Sequence, residues 1–378
     1  MADHKARTPL YHSGAHPMAQ TAIRVGIIGV HPDRGWASTA HVPALGDLPQ
    51  FRLSALSHNR VEVARAAAQK FGFDHAVSST EELVNHPDVD LVVVTVRVPE
   101  HLQLVTAALE AGKSVFCEWP LGMNLRDAEA MNKLSAARGV YTMIGLQTRA
   151  NPTIRHMRKL VADGFVGEVL SASVIGSGIT WGEELEDAFR YTLDPSNGAS
   201  MVHVPFAHTM DALAFALDDD FLSASGTLVT RRATTRIVES REVVPLAVAD
   251  QIAFTGRLGS GALVTSHFRG GLSRATNFHM EINGSKGDLL LTSPVGYVGL
   301  GGFNLSGAQA GENLHPIPVP GDFGPDDNVL TGNVKKLYEL LASDILSGTH
   351  QRPTFESAVK LHRLINAVEK NGGISRDI

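Results

Sequence analysis

Through the first half of the chain, short apolar runs alternate with longer stretches whose apolar residues recur at helical spacing. Ile23 to Gly29 is a β-rich apolar run ending in glycine, the pattern of a strand buried on both faces. Phe51 to Leu56 repeats it, and Val61 to Phe71 follows with alanine-rich helical periodicity. Asp90 to Val96 reads Asp-Leu-Val-Val-Val-Thr-Val, a β-branched run suited to the middle of a parallel sheet. Pro99 to Ala111 predicts an amphipathic helix with proline in its first turn and Gly112 closing it. Ser114 to Cys117, Leu125 to Arg138 and Tyr141 to Leu146 continue as strand, helix and strand. This alternation builds βαβ units, so the expected fold class is α/β, with a doubly wound parallel Rossmann sheet over residues 22–148.

Near Asn151 the pattern changes. One helix, Thr153 to Asp163, leads into the turn Gly164-Phe165-Val166-Gly167-Glu168. Strands then dominate: Leu170 to Ile175, Leu222 to Thr230, Ala249 to Leu258, Ala262 to Phe268 and Phe278 to Ile282. Gly259-Ser260-Gly261 and Asn283-Gly284-Ser285-Lys286-Gly287 carry hairpin chemistry. A helix from about His203 to Leu217 interrupts the strands, and Val329 to Ser347 and Phe355 to Lys370 return to helix. Residues 149–378 therefore read as an α/β domain with a large, mostly antiparallel open sheet. It would bind substrate and form a homodimer or homotetramer, with the final helices able to pack back on the first domain. Gly301 to Pro325, rich in glycine and proline, reads as a surface excursion.

Composition narrows the function. At 43% hydrophobic and 19% charged over 378 residues the chain is of globular type, and its net charge of −6 argues against direct nucleic-acid binding. A single cysteine, Cys117, excludes a disulfide framework and points to a reducing cytoplasm. No apolar run approaches the ~20 residues of a membrane span. Residues 1–21 are polar, lack the apolar core of a secretory signal and read as a mobile tail, with Met18 an alternative start. The histidines there (His4, His12, His16) read as solvated, and no His/Cys/Asp cluster has metal-ligand spacing, so no metal is expected.

After the first strand comes Gly29-Val30-His31-Pro32-Asp33-Arg34-Gly35-Trp36. A dinucleotide fingerprint places glycines first, third and sixth, where backbone must approach a pyrophosphate. Gly29 fits, His31 replaces the second glycine, and Gly35 comes one residue late. The second strand ends in Ser57-His58-Asn59-Arg60, where an NAD-preferring chain offers a carboxylate. Without that acid, and with Arg60 able to pair with a 2′-phosphate, NADP is preferred over NAD. Alternatively Arg60 only opens the next helix.

Three stretches together resemble the glucose–fructose oxidoreductase/inositol dehydrogenase (Gfo/Idh/MocA) family: the Gly29 loop, Glu118-Trp119-Pro120, and Gly164 to Glu168. The resemblance runs from Ile23 to the final helix. It implies a Rossmann domain joined to an open-sheet domain that often forms the subunit interface, and sugar-like or polyol substrates. Three positions depart from the family pattern. Trp119 replaces the lysine of Glu-Lys-Pro, Val96-Arg97 replaces threonine-proline, and the Asp-x-Gly-x-His segment reads Val204 to His208, keeping only the histidine. The pairing of Gly35-Trp36 with Glu118-Trp119, and Phe206 to Thr209, is similar to the branch containing the fungal galactose-regulon repressor, which works by protein–protein contact.

The residues expected around the dinucleotide are Gly29, His31, Arg34, Gly35 and Trp36, then Ser57, Asn59 and Arg60, and then Val96, Arg97, His101, Glu118 and Trp119. His208 is the acid/base candidate, or else a core histidine. Asp211 either orients His208 from the same helix face or pairs with a cation. Tyr191 is a further candidate proton donor. Gln147 and Arg149 follow the last Rossmann strand and could hold substrate oxygens, Arg149 equally serving as a domain-linking ion pair. Trp119 either stacks near the nicotinamide or packs in the core. His203 reads as structural. The balance favours an NAD(P)-dependent oxidoreductase on a sugar, polyol or related carbonyl. The alternatives are a non-catalytic dinucleotide-binding regulator and redox-neutral elimination or epimerisation.

Overall fold

The computed structural model describes residues 22–321, 329–370 and 376–377; the 1–21 tail and residues 322–325 of the expected excursion lie outside them. The first layer is a parallel sheet built from β1 (Ile23–Ile28), β2 (Phe51–Ser57), β3 (His75–Val77), β4 (Leu91–Val94), β5 (Ser114–Cys117) and β6 (Thr142–Ile144). Its strand order is β3-β2-β1-β4-β5-β6, doubly wound about β1. Every residue of β4 is buried, as its unbroken β-branched run requires. The connecting helices are α1 (Val42–Gly46), α2 (Val61–Phe71), α3 (Thr80–Val84), α4 (His101–Glu110) and α5 (Leu125–Arg138). Their ends are specified locally: Asn124 accepts from the Asp127 N–H to open α5, and Gly139, at φ 64°, closes it.

Helix α6 (Pro152–Ala162), capped by Asn151 and started by Pro152, leads into the second domain. Its strands begin with β7 (Val169–Ser177) and β8 (Glu184–Leu185); helix α7 (Ala207–Leu217) follows. Then come β9 (Phe221–Val229), β10 (Thr234–Ile237), β11 (Val243–Pro245), β12 (Gln251–Leu258), β13 (Leu263–Arg269), β14 (Phe278–Gly284), β15 (Gly287–Ser293), β16 (Asn304–Gln309) and β17 (His315–Pro316). Helices α8 (Val329–Ser347) and α9 (Phe355–Lys370) and the two-residue β18 (Arg376–Asp377) complete the described chain. The large sheet has the order β17-β16-β15-β14-β7-β13-β12-β9-β18, antiparallel among its long strands except for the parallel pair β13 and β7. Strands β8, β10 and β11 form a separate small sheet that the sequence pattern did not predict.

The expected excursion needs correcting. Asn304–Gln309 extends the large sheet beside β15, with Leu305 buried between more exposed neighbours. Strand β16 is short, polar and broken by Gly307, whose added Cβ would stand 2.6 Å from the Ile317 side chain. Those features hide its period in the sequence.

The last helices serve both domains. Helix α9 packs on β9 and α5. Helix α8 returns to the Rossmann layer, where Val334, Leu337, Tyr338 and Leu341 join the core formed by Val25, Ile27, Leu91 and Phe116. Tyr338 is fully buried against Phe51 and Phe116 at ring distances of 5.3 and 5.1 Å.

Candidate functional site

At the carboxyl edges of β1, β2 and β4 lies a cleft of about 740 Å³. Gly29 opens it at φ 94°, and an added Cβ there would stand 2.6 Å from Val96 Cγ1. Only glycine fits this strand end. Arg34, Ser57, Asn59, Arg60, Val96 and Arg97 line the cleft, as the sequence pattern expects. His58, within the Ser57–Arg60 segment singled out in the sequence, lines it too, whereas sequence reasoning missed the Ser78–Thr80 turn; that turn belongs to the β3–α3 connection, which carries no fingerprint. His31 sits at the rim, its ring 6.1 Å from His58 and its Nδ1 accepting the Asp33 N–H. Lys70 donates to the Pro32 carbonyl and to Asp33, fixing the lengthened loop. Gly35 provides a second positive φ, and Trp36 starts the helical turn with its indole edge toward His41.

His101, expected near the dinucleotide, is a buried brace behind the cleft-lining Val96. Its nitrogens lie 2.9 Å from the Pro120 carbonyl and 3.0 Å from that of Val96, joining the loops after β4 and β5. Burial pushes its imidazole below the usual range.

Glu118 leads into a buried relay. His41 Nε2 lies 3.0 Å from Glu118 Oε1, and His41 Nδ1 lies 2.8 Å from the Tyr338 hydroxyl. A π-helical turn, Ala37–His41, aims His41 inward. Across the carboxylate, a Cβ at Gly145 would stand 2.6 Å from Glu118 Oε1, so the carboxylate rests directly on backbone. Neither His41 nor Tyr338 could be found from sequence, since 297 residues separate them.

Trp119 is turned into the domain junction. Its indole N–H donates to the His203 carbonyl at 2.6 Å, and its ring lies 4.7 Å from that of His362. His203 is also bound to Ser200 through Nδ1. Burial holds His203 down at about 4 and His362 at about 3. The core-packing account of Trp119 is the one the contacts describe.

His208 is the second residue of α7, buried, with its ring 6.4 Å from that of Tyr297. Its Nδ1 has no hydrogen-bond partner among the described residues. Burial lowers its pKa while the charges of Asp211 and Glu118 pull the other way. Asp211 does not bond to it. That carboxylate instead takes Arg149 in a fork, with Nε at 2.9 Å and Nη2 at 2.6 Å. Arg149 thus ties the turn after β6 to α7 through an ion pair. Gln147 Oε1 is buried and likewise without a partner among the described residues. Tyr297, missed in the sequence, has its phenol pushed up to about 12 by burial. Tyr191 lies under Arg97, whose guanidinium is 4.9 Å from the ring centroid, so the second domain reaches the mouth of the cleft there.

The fold also gathers His75, His86 and Asp88, with possible ligand atoms within 4.8 Å of one another. This juxtaposition, which the sequence spacing did not anticipate, is partly engaged: His86 Nδ1 accepts the Asp88 N–H, and Asp88 Oδ1 accepts from Arg24.

These features match known proteins over most of the chain. The family described as "Oxidoreductase family, NAD-binding Rossmann fold" matches residues 23–146, and that described as "Gal80p, C-terminal domain" matches residues 152–293. The galactose/lactose metabolism regulatory protein GAL80 of Saccharomyces cerevisiae is 29% identical over 401 residues, with 92% of each chain covered. The dehydrogenase aclE of Aspergillus oryzae is 36% identical over 203 residues, covering 52% of this chain and 55% of that one. A super-repressor mutant of Gal80p from Saccharomyces cerevisiae superposes with a TM-score of 0.86 at 28% identity, over 94% of this chain and 98% of that one. The chain belongs to the Gfo/Idh/MocA oxidoreductase family, in its Gal80-like branch.

Proposed function

We propose that this protein is an NADP(H)-dependent oxidoreductase acting on a hydroxyl or carbonyl of a sugar or polyol, with His208 exchanging the substrate proton. The observation that carries this reading is the buried His208 Nδ1, without a partner among the described residues and within the field of Glu118. A buried neutral imidazole can accept a proton at ordinary pH and return it. The Glu118–His41–Tyr338 relay holds the adjacent carboxylate in place, and Gln147 Oε1 offers an acceptor for a substrate hydroxyl.

The glycine-floored cleft fits a dinucleotide: Gly29 and Val96 would border its pyrophosphate, and Ser57, Asn59 and Arg60 its adenosine ribose. When bound, the nicotinamide supplies or accepts the hydride. Arg34 and Arg60, exposed and with no carboxylate partner among the described residues, favour the 2′-phosphate form. Assembly through the open face of the large sheet, in the reducing cytoplasm, completes the proposal.

A specific observation favours a second reading, a dinucleotide-binding regulator. Trp119 stands where the resemblance expects the proton-handling lysine, and its N–H is committed to the His203 carbonyl.

Titrating the protein with NAD⁺, NADH, NADP⁺ and NADPH, then screening sugars and polyols for turnover, separates the two. Tightest binding of the phosphorylated forms is expected, with turnover that His208→Gln lowers by about 10²–10⁴ while cofactor affinity stays near wild type. Binding without turnover on any sugar or polyol selects the regulatory reading.

A further inference from the structure

A groove of about 460 Å³ runs along one face of α6 and shares no lining residue with the cleft described above. Arg155, Arg158, Lys159 and Ala162 all line it, at the i, i+3, i+4 and i+7 positions of one helix face. Arg149 and His350 add to its basic wall, and no carboxylate lines it. Like charges stacked at these spacings destabilise a helix unless counter-charges answer them. Some are answered: Arg158 donates to Asp218 and to the Phe215 carbonyl, and Arg149 is held by Asp211. Lys159 has only an exposed pair with Asp163, of the kind that exchanges readily. Arg155 is half-buried and has no hydrogen bond or ion pair among the described residues. Burial and the Arg158 charge hold its pKa below the usual guanidinium value. Phe215 forms the floor, with the Arg158 guanidinium 4.5 Å from its ring centroid and that of Arg149 5.6 Å away.

We propose that this groove is a second ligand site that takes a small phosphomonoester, with Arg155 and Lys159 as its principal donors and His350 closing over it. A concavity of this size falls within the range of about 300–1,000 Å³ that encloses small molecules and is short for an extended acidic peptide. A phosphate has three oxygens for the Arg155 fork and the Lys159 ammonium at once. The chain is otherwise acidic, so anions are drawn to this local exception rather than to the surface at large.

The test uses the full chain, with glucose 6-phosphate and inorganic phosphate as probes, in calorimetric titrations at constant ionic strength. Saturable binding of both is expected, weakened about tenfold or more by Arg155→Gln and by Lys159→Gln, and left as in wild type by Arg60→Gln. Glucose should not compete. The proposal is overturned by no saturable binding at millimolar concentration, or by loss in Arg60→Gln with none in Arg155→Gln, which would place the phosphate in the dinucleotide cleft. It is equally overturned if an oligoglutamate peptide saturates the groove and neither phosphate probe does. Lys159 is exposed and Arg155 only half-buried, so circular dichroism should show wild-type folding for both variants.

Discussion

Trp119 and His208 show how one residue's surroundings decide its chemistry. The tryptophan is legible in the sequence as a departure, but its role is not. Only the fold shows that its N–H reaches the His203 carbonyl and that its ring covers His362. His208 was legible through its place in a known segment. Its setting depends on Tyr297 and Glu118, 89 and 90 residues away in opposite directions, and no local pattern encodes that. The buried histidines also carry a consequence for acid stability. His203 and His362 titrate at about 4 and about 3 in the folded protein, against 6.5 for an exposed imidazole. Their neutral forms cost nothing above about pH 6.5. Below that, the unfolded chain binds protons that the folded chain does not, so stability falls as pH drops from about 6.5 toward 3. Urea titrations should show a loss of about 2 kcal/mol per histidine at about pH 5. Replacing His362 with Phe should remove part of that slope; an unchanged slope would show that its burial does not govern the titration.

At the scale of elements, the apolar pattern located β1, β2, β4, β5 and β6 and helices α2, α4 and α5 because their runs are buried or end on glycine, but it passed over α1, β3 and α3, which are only three to five residues long. Strands β2 and β5 and helices α2 and α5 lie within a residue or so of where the pattern places them. It failed where an element's period is short or borrowed: β8, β10 and β11 take their burial from one another, and β16 from its neighbour β15. The two π-helical turns, Ala37–His41 and Val202–Phe206, also escape periodicity, since each adds a residue to a turn. Each turns a histidine inward ahead of an ordinary helix. The β1 end makes a sharper prediction. Gly29→Ala places a methyl 2.6 Å from Val96 Cγ1 at a φ of 94°. Dinucleotide affinity should drop by about tenfold or more while the cooperative unfolding transition survives, because the strain falls on the cleft's lip. Wild-type affinity in this variant would show that the loop can move away without consequence.

For the molecule as a whole, the sequence expected a large open sheet, and the fold provides one. Ser225, Thr255, Thr265 and Ser173 run in register across neighbouring strands of its outer face, exposed or half-buried. Leu263, two residues from Thr265 on the same face of its strand, stands exposed beside this row. If this face joins two copies, Thr265→Arg brings like charges together at its centre and should convert a dimeric mass to a monomeric one in light scattering. A wild-type protein that is monomeric at every concentration would remove the reason for the open face.

Helix α8 gives the molecule a particular order of assembly. Tyr338 fills the space between Phe51 and Phe116 and meets His41, yet it leaves the ribosome some two hundred residues after the last strand of the sheet it completes. During synthesis the parallel sheet therefore waits with an open slot in its core, a hydrophobic surface available to chaperones, until almost the whole chain has emerged. The cleft's lining residues emerge early, between Ile28 and Leu104, but the relay of Glu118, His41 and Tyr338 is completed late.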